Sequence, residues 1–255
     1  MKRIWWIFAC ILVAAGTLAA AQGVQGNNNK GNVPNVLDYV ISPTSVVFSR
    51  TFSEWDAEWQ QWAYSIPVAN HPLFDNGDCS VGQAGPVWFL GGKFCNNANV
   101  NCSTSNVQRA CTIPSGKFLY LPVYNGEDSA LEESEAEHRG QIDYQQIGYM
   151  RQNYDAWAGT PPTYFAMIDG AAVPNLDNYL VNSVVFGFTI PDDNYLKAVY
   201  PAPHNNFKAG TYYPAVDYGM YLMLAPLPVG THVVHFGASW PTWGFDVTYT
   251  ITVTR

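Results

Sequence analysis

Positive charge is what this chain has least of: its 255 residues hold 12 Lys and Arg against 20 Asp and Glu. A surface with that balance repels phosphate backbones, which argues against nucleic-acid partners. Cysteine is sparse too, and no C-x-x-C pair among the five supports a zinc site. The serine-hydrolase elbow G-x-S-x-G, the zincin H-E-x-x-H and the P-loop are all missing. That removes three easily read chemistries, while a catalytic triad dispersed in sequence stays open. Beyond the N-terminus no apolar run is long enough to cross a bilayer. Gly219 to Val229 is the most apolar stretch, and it is short and broken by prolines. There is no internal repeat.

What is present begins with a secretory pattern. Lys2 and Arg3 precede an apolar run from Ile4 to Leu18, and Ala19-Ala20-Ala21 offers an A-x-A cleavage site. Residues 1–21 therefore read as a signal peptide, and residues 22–35, rich in Asn and Gly, as a flexible leader. Export to the periplasm or beyond is the expectation. Without Lys2 and Arg3, ten basic residues face twenty acidic ones, a net charge of −10. Few charges with abundant Tyr, Trp, Asn, Thr and Gly is a composition common among polysaccharide-facing proteins. In an oxidising compartment Cys79, Cys95, Cys102 and Cys111 read as disulfide staples. A nested arrangement is favoured, Cys79–Cys111 outside and Cys95–Cys102 inside, because Asn96 to Asn106 is a polar loop able to close on itself.

The densest information lies between Thr51 and Leu90, which hold four of the nine tryptophans. Phe52, Trp55, Trp59, Trp62, Ala63 and Ile66 recur at three- and four-residue intervals, so they form one stripe of a helix. Thr51 with Glu54 forms a capping box, and Pro67 ends the helix. The tryptophan stripe is either buried or an exposed stacking platform for sugars, and burial is favoured.

Most of the rest reads as strand. Val36 to Phe48, interrupted by Pro43, predicts an edge strand or two short ones. Pro86 to Gly91 and Phe118 to Val123 predict buried strands, the second closed by a turn at Asn125-Gly126. Ser129 with Glu132 caps a short helix, and Ile142 to Ala158 has helical spacing. Tyr164 to Ile168 leads into Asp169-Gly170, a hairpin turn signal. Val184 to Ile190 predicts a strand and Lys197 to Tyr213 a long loop. Tyr221 to Leu224 and Thr231 to Phe236 predict a strand pair. From Phe245 to Thr254, apolar residues alternate with Asp246 and threonines, the mark of a strand with one face on a core. The fold expectation is mainly β: a single domain over residues 36–255, an antiparallel β-sandwich of jelly-roll or Ig-like kind. Two or three helices, from insertions at 51–66 and 129–158, pack on its side or edge.

Several candidate sites emerge. Exposed loop aromatics Tyr200, Tyr212, Tyr213 and Trp243 are the candidate binding surface for a polysaccharide or cell-envelope component. The acidic run offers Glu127, Asp128, Glu132, Glu133, Glu135 and Glu137. Glu133 and Glu137 stand one turn apart, so they either share a proton for acid catalysis or bind a hard cation such as calcium. The plainer alternative is a solvated face with a Glu135–Arg139 ion pair. His232 and His235 point to opposite sides of a strand, so a joint metal site needs a bulge. Each is read first as a core histidine, with His235 kept as a candidate base. No metal is required by any motif; Asp75-Asn76-Gly77-Asp78 lacks the spacing of a calcium loop and reads as a tight turn. The function expected is polysaccharide or envelope binding. A glycan-directed hydrolase using paired carboxylates and a structural role in the envelope or matrix are the alternatives.

Trp59-Gln60-Gln61-Trp62-Ala63-Tyr64-Ser65-Ile66-Pro67, Pro72-Leu73-Phe74-Asp75 and Gly85-Pro86-Val87-Trp88-Phe89-Leu90 resemble a family of secreted bacterial proteins. Cys111-Thr112-Ile113-Pro114-Ser115-Gly116-Lys117 and the stretch from Leu227 to Gly237, with its H-x-x-H-F-G, are similar to the same family. The resemblance spans roughly Glu54 to Val253. It implies secretion and a single domain, and it brings no activity, substrate or catalytic residue with it.

Overall fold

The structure, a computed structural model, describes residues 35–94, 106–135, 162–200, 202–203, 205–240 and 244–255. It is mainly β, with two sheets packed as a sandwich and helices at its side. Sheet 1 joins β1 (Val87–Phe89), β3 (Phe118–Ser129), β8 (Gly210–Leu224) and β6 (Leu180–Asn182), and β7 (Phe186–Ile190) also pairs with β8. Sheet 2 runs β2 (Asn106–Pro114), β10 (Gly244–Thr254), β9 (Gly230–Ser239), β4 (Thr163–Ile168), β5 (Ala171–Ala172). Most neighbours are antiparallel, while β1 with β3 and β2 with β10 pair in parallel. Among the described residues, no helix is long and apolar enough to cross a membrane.

Strand alternation builds three layers. Leu119, Leu121, Leu222 and Leu224 face Val234, Phe236, Val247 and Ile251 of sheet 2 in one core. Tyr120, Tyr221 and Met223 point the other way, onto the tryptophan helix α1 (Phe52–Ser65), in a second. Leu196 and Phe207 extend that side beside β7, and Leu196 lies on α3 (Tyr195–Val199). Thr51 caps α1 as its sequence predicts: Glu54 N donates to Thr51 Oγ1 and Thr51 N donates to Glu54. The tryptophan stripe is buried. Each indole N–H reaches a loop carbonyl, Trp55 to Val47, Trp59 to Leu90 and Trp62 to Val81. A platform for external sugars would leave those rings open.

Cys79 and Cys111 are joined, with Cα atoms 5.7 Å apart, tying the loop before β1 to the edge strand of sheet 2. The inner pair, Cys95 and Cys102, lies outside the described residues. So does the helix expected over 142–158. Asp169 and Gly170 both have positive φ and turn β4 into β5 as expected.

Four local expectations are corrected. Val36–Tyr39 is a 3-10 turn capped by Asn35, with only isolated bridges following it. Asn125-Gly126 is no turn, because β3 continues through it and pairs with β8 as far as Ser129. The loop expected up to Tyr213 ends at Gly210, so Tyr212 and Tyr213 belong to β8. Tyr221 to Leu224 and Thr231 to Phe236 do not pair: β8 belongs to sheet 1 and β9 to sheet 2.

Candidate functional site

One irregularity of β3 sets the site. The register with β8 passes from Pro122–Tyr221 to Tyr124–Met220, so one extra residue bulges out of β3. A bulge reverses which face later side chains take. Tyr124 consequently joins the inter-sheet core, and Asn125, Glu127 and Ser129 turn toward α1. Their partners on β8 are Gly219, Asp217 and Ala215. Gly219 is required here, since a Cβ on it would lie 2.5 Å from Asn125 Cβ and 2.6 Å from Tyr124 O.

Asp217, 1% exposed, is the first centre of this layer. Its Oδ2 accepts from Gln60 Nε2 at 2.6 Å and Asn125 Nδ2 at 3.0 Å, and its Oδ1 from Tyr221 at 2.8 Å. Asp56 of α1, fully buried, is hydrogen-bonded to it as well. Burial pushes the Asp217 carboxyl up to about 6, against the pull of those donors.

Glu132, on the short helix α2 (Ala130–Glu135), is the second centre. Ser129 caps α2, accepting from Glu132 N and donating to Glu132 Oε2 at 2.6 Å. Tyr200 donates to Oε1 at 3.0 Å and Tyr64 to Oε2 at 3.5 Å. Three hydroxyls thus converge on a carboxylate that is 4% exposed. That pattern stabilises the anion.

Glu127 is the opposite case. Both of its carboxyl oxygens are enclosed, and among the described residues neither has a hydrogen-bond donor. It touches Glu132, with Asp128 and Asp217 nearby. Two carboxylates in contact either repel as anions or are joined by a proton. Burial first, then Glu132, drives the Glu127 carboxyl well above the usual carboxylate range. The donors assign the charges: Glu132 is the anion and Glu127 the acid that hydrogen-bonds to it. Tyr195, packed on Tyr64, and Tyr200 wall the pair, and burial next to these acids raises their hydroxyls far beyond the ordinary phenol range.

The structure sorts the residues singled out in sequence. Tyr200 comes to the acidic cluster rather than to an open loop, half-buried and against Phe207. Tyr212 rests on Phe188 and donates to Lys208 O, whereas Tyr213 is 69% exposed. Glu133 is buried on α2 at 3% exposure, so this part of the acidic run is no solvated face. Trp243 and Glu137 lie outside the described residues, as does Arg139. His232 and His235 stay apart: His232 bonds Asp169 and Pro228 O, and His235 bonds Asp246 at 2.8 Å on the outer face of sheet 2. Among the described residues no group of three His, Cys, Asp or Glu is placed to hold a metal ion. Asp56, Gln60 and Asp217 went unselected in the sequence. Asp217 alternates with Gly219, Tyr221 and Met223 inside an apolar run, which is the signal that could have marked it as a buried acid.

No family model matches the sequence, and no curated protein does. Among solved structures the chain is similar to PbICP-C in complex with falcipain-2, at 12% identity over 67% of this chain and 100% of that chain, TM-score 0.24. It is also similar to the cysteine protease inhibitor EhICP2 from Entamoeba histolytica, at 10% identity over 66% of this chain and 96% of that chain, TM-score 0.22. Amebosin gives 9% identity over 67% of this chain and 100% of that chain, TM-score 0.23. Scores this low carry no argument about function.

Proposed function

We propose that this chain is an exported acid–base hydrolase acting on glycans of the cell envelope or matrix. Glu127 is its acid and Asp217 the carboxylate that works opposite it. The observation that carries this reading is the enclosed Glu127 carboxyl, without a donor among the described residues and against the hydroxyl-bonded Glu132. Strongly perturbed carboxyls cluster where catalysis needs them. A neutral acid held beside a carboxylate at neutral pH is the form general acid catalysis requires.

Each residue then has a task. Glu127 gives its proton to the leaving oxygen, and Glu132, held by Ser129, Tyr200 and Tyr64, keeps the acid protonated beforehand. Asp217 faces Glu127 directly across the β3–β8 ladder. Opposed positions in such a pair hold Cβ atoms roughly 4.5–5.5 Å apart. Two neighbouring carboxyls, one acid and one anion, are the equipment that retaining glycosidases use. Asn125, Gly126, Asp128, Tyr200 and Tyr218 are half-buried beside the pair; because the Glu127 carboxyl oxygens are enclosed, this rim must part for a chain to reach them. Export is supported by the N-terminal pattern and by the Cys79–Cys111 bridge.

The test incubates the oxidised protein, from Gln22 onward, with insoluble polysaccharides and peptidoglycan, with and without calcium. Soluble products are then identified. Glycan fragments that disappear in Glu127→Gln and fall steeply in Asp217→Asn support the reading. Peptide rather than glycan fragments from peptidoglycan would move the same pair to peptide hydrolysis. Unchanged product formation in Glu127→Gln would refute the assignment.

A further inference from the structure

The opposite side of the sandwich holds a different arrangement. On the outer face of sheet 2, β4, β9 and β10 present Thr163, Ser239 and Gly244 in one row and Phe165, Gly237 and Asp246 in the next. A groove of about 380 Å³ opens there, and Thr163, Phe165, Ser239, Gly244 and Asp246 are among the residues that line it. Gly244 adds no side chain to the floor, and a Cβ there would meet Ala238 O at 2.9 Å; Phe165 lies over Gly237, where a Cβ would meet its Cε1 at 2.9 Å. Phe165 forms one wall, held edge-to-face by His235 with ring centres 4.7 Å apart. Asp246 forms the other. Its Oδ1 is bonded to His235 Nε2, which fixes the carboxylate and leaves Oδ2 to accept from outside. At the end of the groove Thr163 Oγ1 and Ser239 Oγ lie 2.7 Å apart, a hydroxyl pair with capacity for further bonds.

The geometry points to a carbohydrate-binding site at this groove, taking one or two pyranose units of a neutral glycan through Phe165, Asp246 and the Thr163–Ser239 hydroxyls. A pyranose has an apolar C–H face that suits an aromatic wall and hydroxyls that donate to a fixed carboxylate. The volume lies within the usual range for a small-ligand site. No described cation lines the groove, and its polar groups are those that sugars use. The site shares the glycan assignment of the carboxyl-pair reading and needs none of its chemistry, because it lies on the far sheet. Its role would be to hold a polymer on the surface.

The test titrates the oxidised full-length mature protein with cello-, chito- and xylo-oligosaccharides, following amide shifts by NMR and heats by calorimetry. At least one sugar is expected to shift the amides of Gly237, Gly244 and Asp246 while those of Asp217 and Glu132 stay still. Phe165→Ala and Asp246→Asn are each expected to weaken binding about tenfold, equivalent to about 1.4 kcal/mol. Phe165→Trp keeps the aromatic wall and is expected to bind nearly as the parent does, which guards against reading a folding defect as lost affinity. Glu127→Gln is expected to retain binding even where it abolishes products, so the two readings fail separately. Shifts with choline but with none of the sugars would overturn the assignment in favour of an ammonium site. So would sugar binding that is indifferent to both Phe165→Ala and Asp246→Asn, or no sugar response at all.

Discussion

Buried acids leave a signature in stability against pH, and Glu127→Gln isolates it. Asp217 titrates near 6 in the folded protein and near 3.8 unfolded. Between those values the folded state binds more proton, so stability falls as pH rises, by about 3 kcal/mol in all. His71 acts in reverse. Leu73 N donates to its Nδ1 and its Nε2 lies 2.9 Å from Ala63 O, which fixes a neutral ring. Burial lowers its pKa from 6.5 to about 4. The unfolded state binds more proton over that window, so stability rises with pH by about 3 kcal/mol. From pH 4 to about 6.5 the two contributions nearly cancel. Above 6.5 both are exhausted, and Glu127 adds a contribution of its own, its carboxyl raised well above 4.5 by burial and then by Glu132. Its contribution declines as pH rises through its folded-state value. Urea midpoints taken every half pH unit should therefore fall for the parent protein, relative to Glu127→Gln, as pH rises above the ordinary carboxylate range. Glu127→Gln should be flatter there and more stable, because an amide donates to Glu132 without a charge to lose. Parallel profiles for the two proteins, or a parent whose stability climbs through that range, would refute the proton-sharing pair.

Other expectations follow from the packing. Trp59→Ala removes a fully buried ring and its bond to Leu90 O, and should cost about 3–5 kcal/mol in urea denaturation. Cys79→Ala with Cys111→Ala opens a crosslink spanning 32 positions and should lower stability by about 3–4 kcal/mol on the chain-entropy scale. Asn125→Ala takes a donor from Asp217, so the Asp217 carboxyl should titrate higher by carboxyl-detected NMR, with the fold retained. Gly219→Ala drives a methyl into Asn125 and should reduce products by displacing that donor, read as a fall in kcat together with a lowered melting temperature.

How much of this was legible in the chain depends on the range of the interactions involved. Helix α1 announced itself because capping and 3.6-residue spacing are local, and the strand from Phe245 onward did so because alternation is local too. Asp169-Gly170 was readable for the same reason. Asn125-Gly126 misled. Its turn propensity is real, but the bulge at Val123 and the room left by Gly219 on a strand more than ninety positions away carry β3 straight through. The pairing of Tyr221 to Leu224 with β3 rather than with β9 is likewise a long-range choice between two sheets. The acidic run was visible as candidate chemistry. Its burial was not, since that depends on Tyr64, Tyr200 and Asp217 arriving from three distant segments. Tyr200 was selected for exposure and instead serves Glu132, and the groove at Phe165 became visible only once β4, β9 and β10 were in register.

Glu127 as a neutral acid at neutral pH is the state on which the proposed chemistry depends, and infrared difference spectroscopy measures it directly. Parent protein minus Glu127→Gln at pH 7 should show the carbonyl stretch of a protonated, hydrogen-bonded carboxylic acid, fading as the pH is raised. A difference spectrum showing only an ionised carboxylate lost from position 127 would contradict the account.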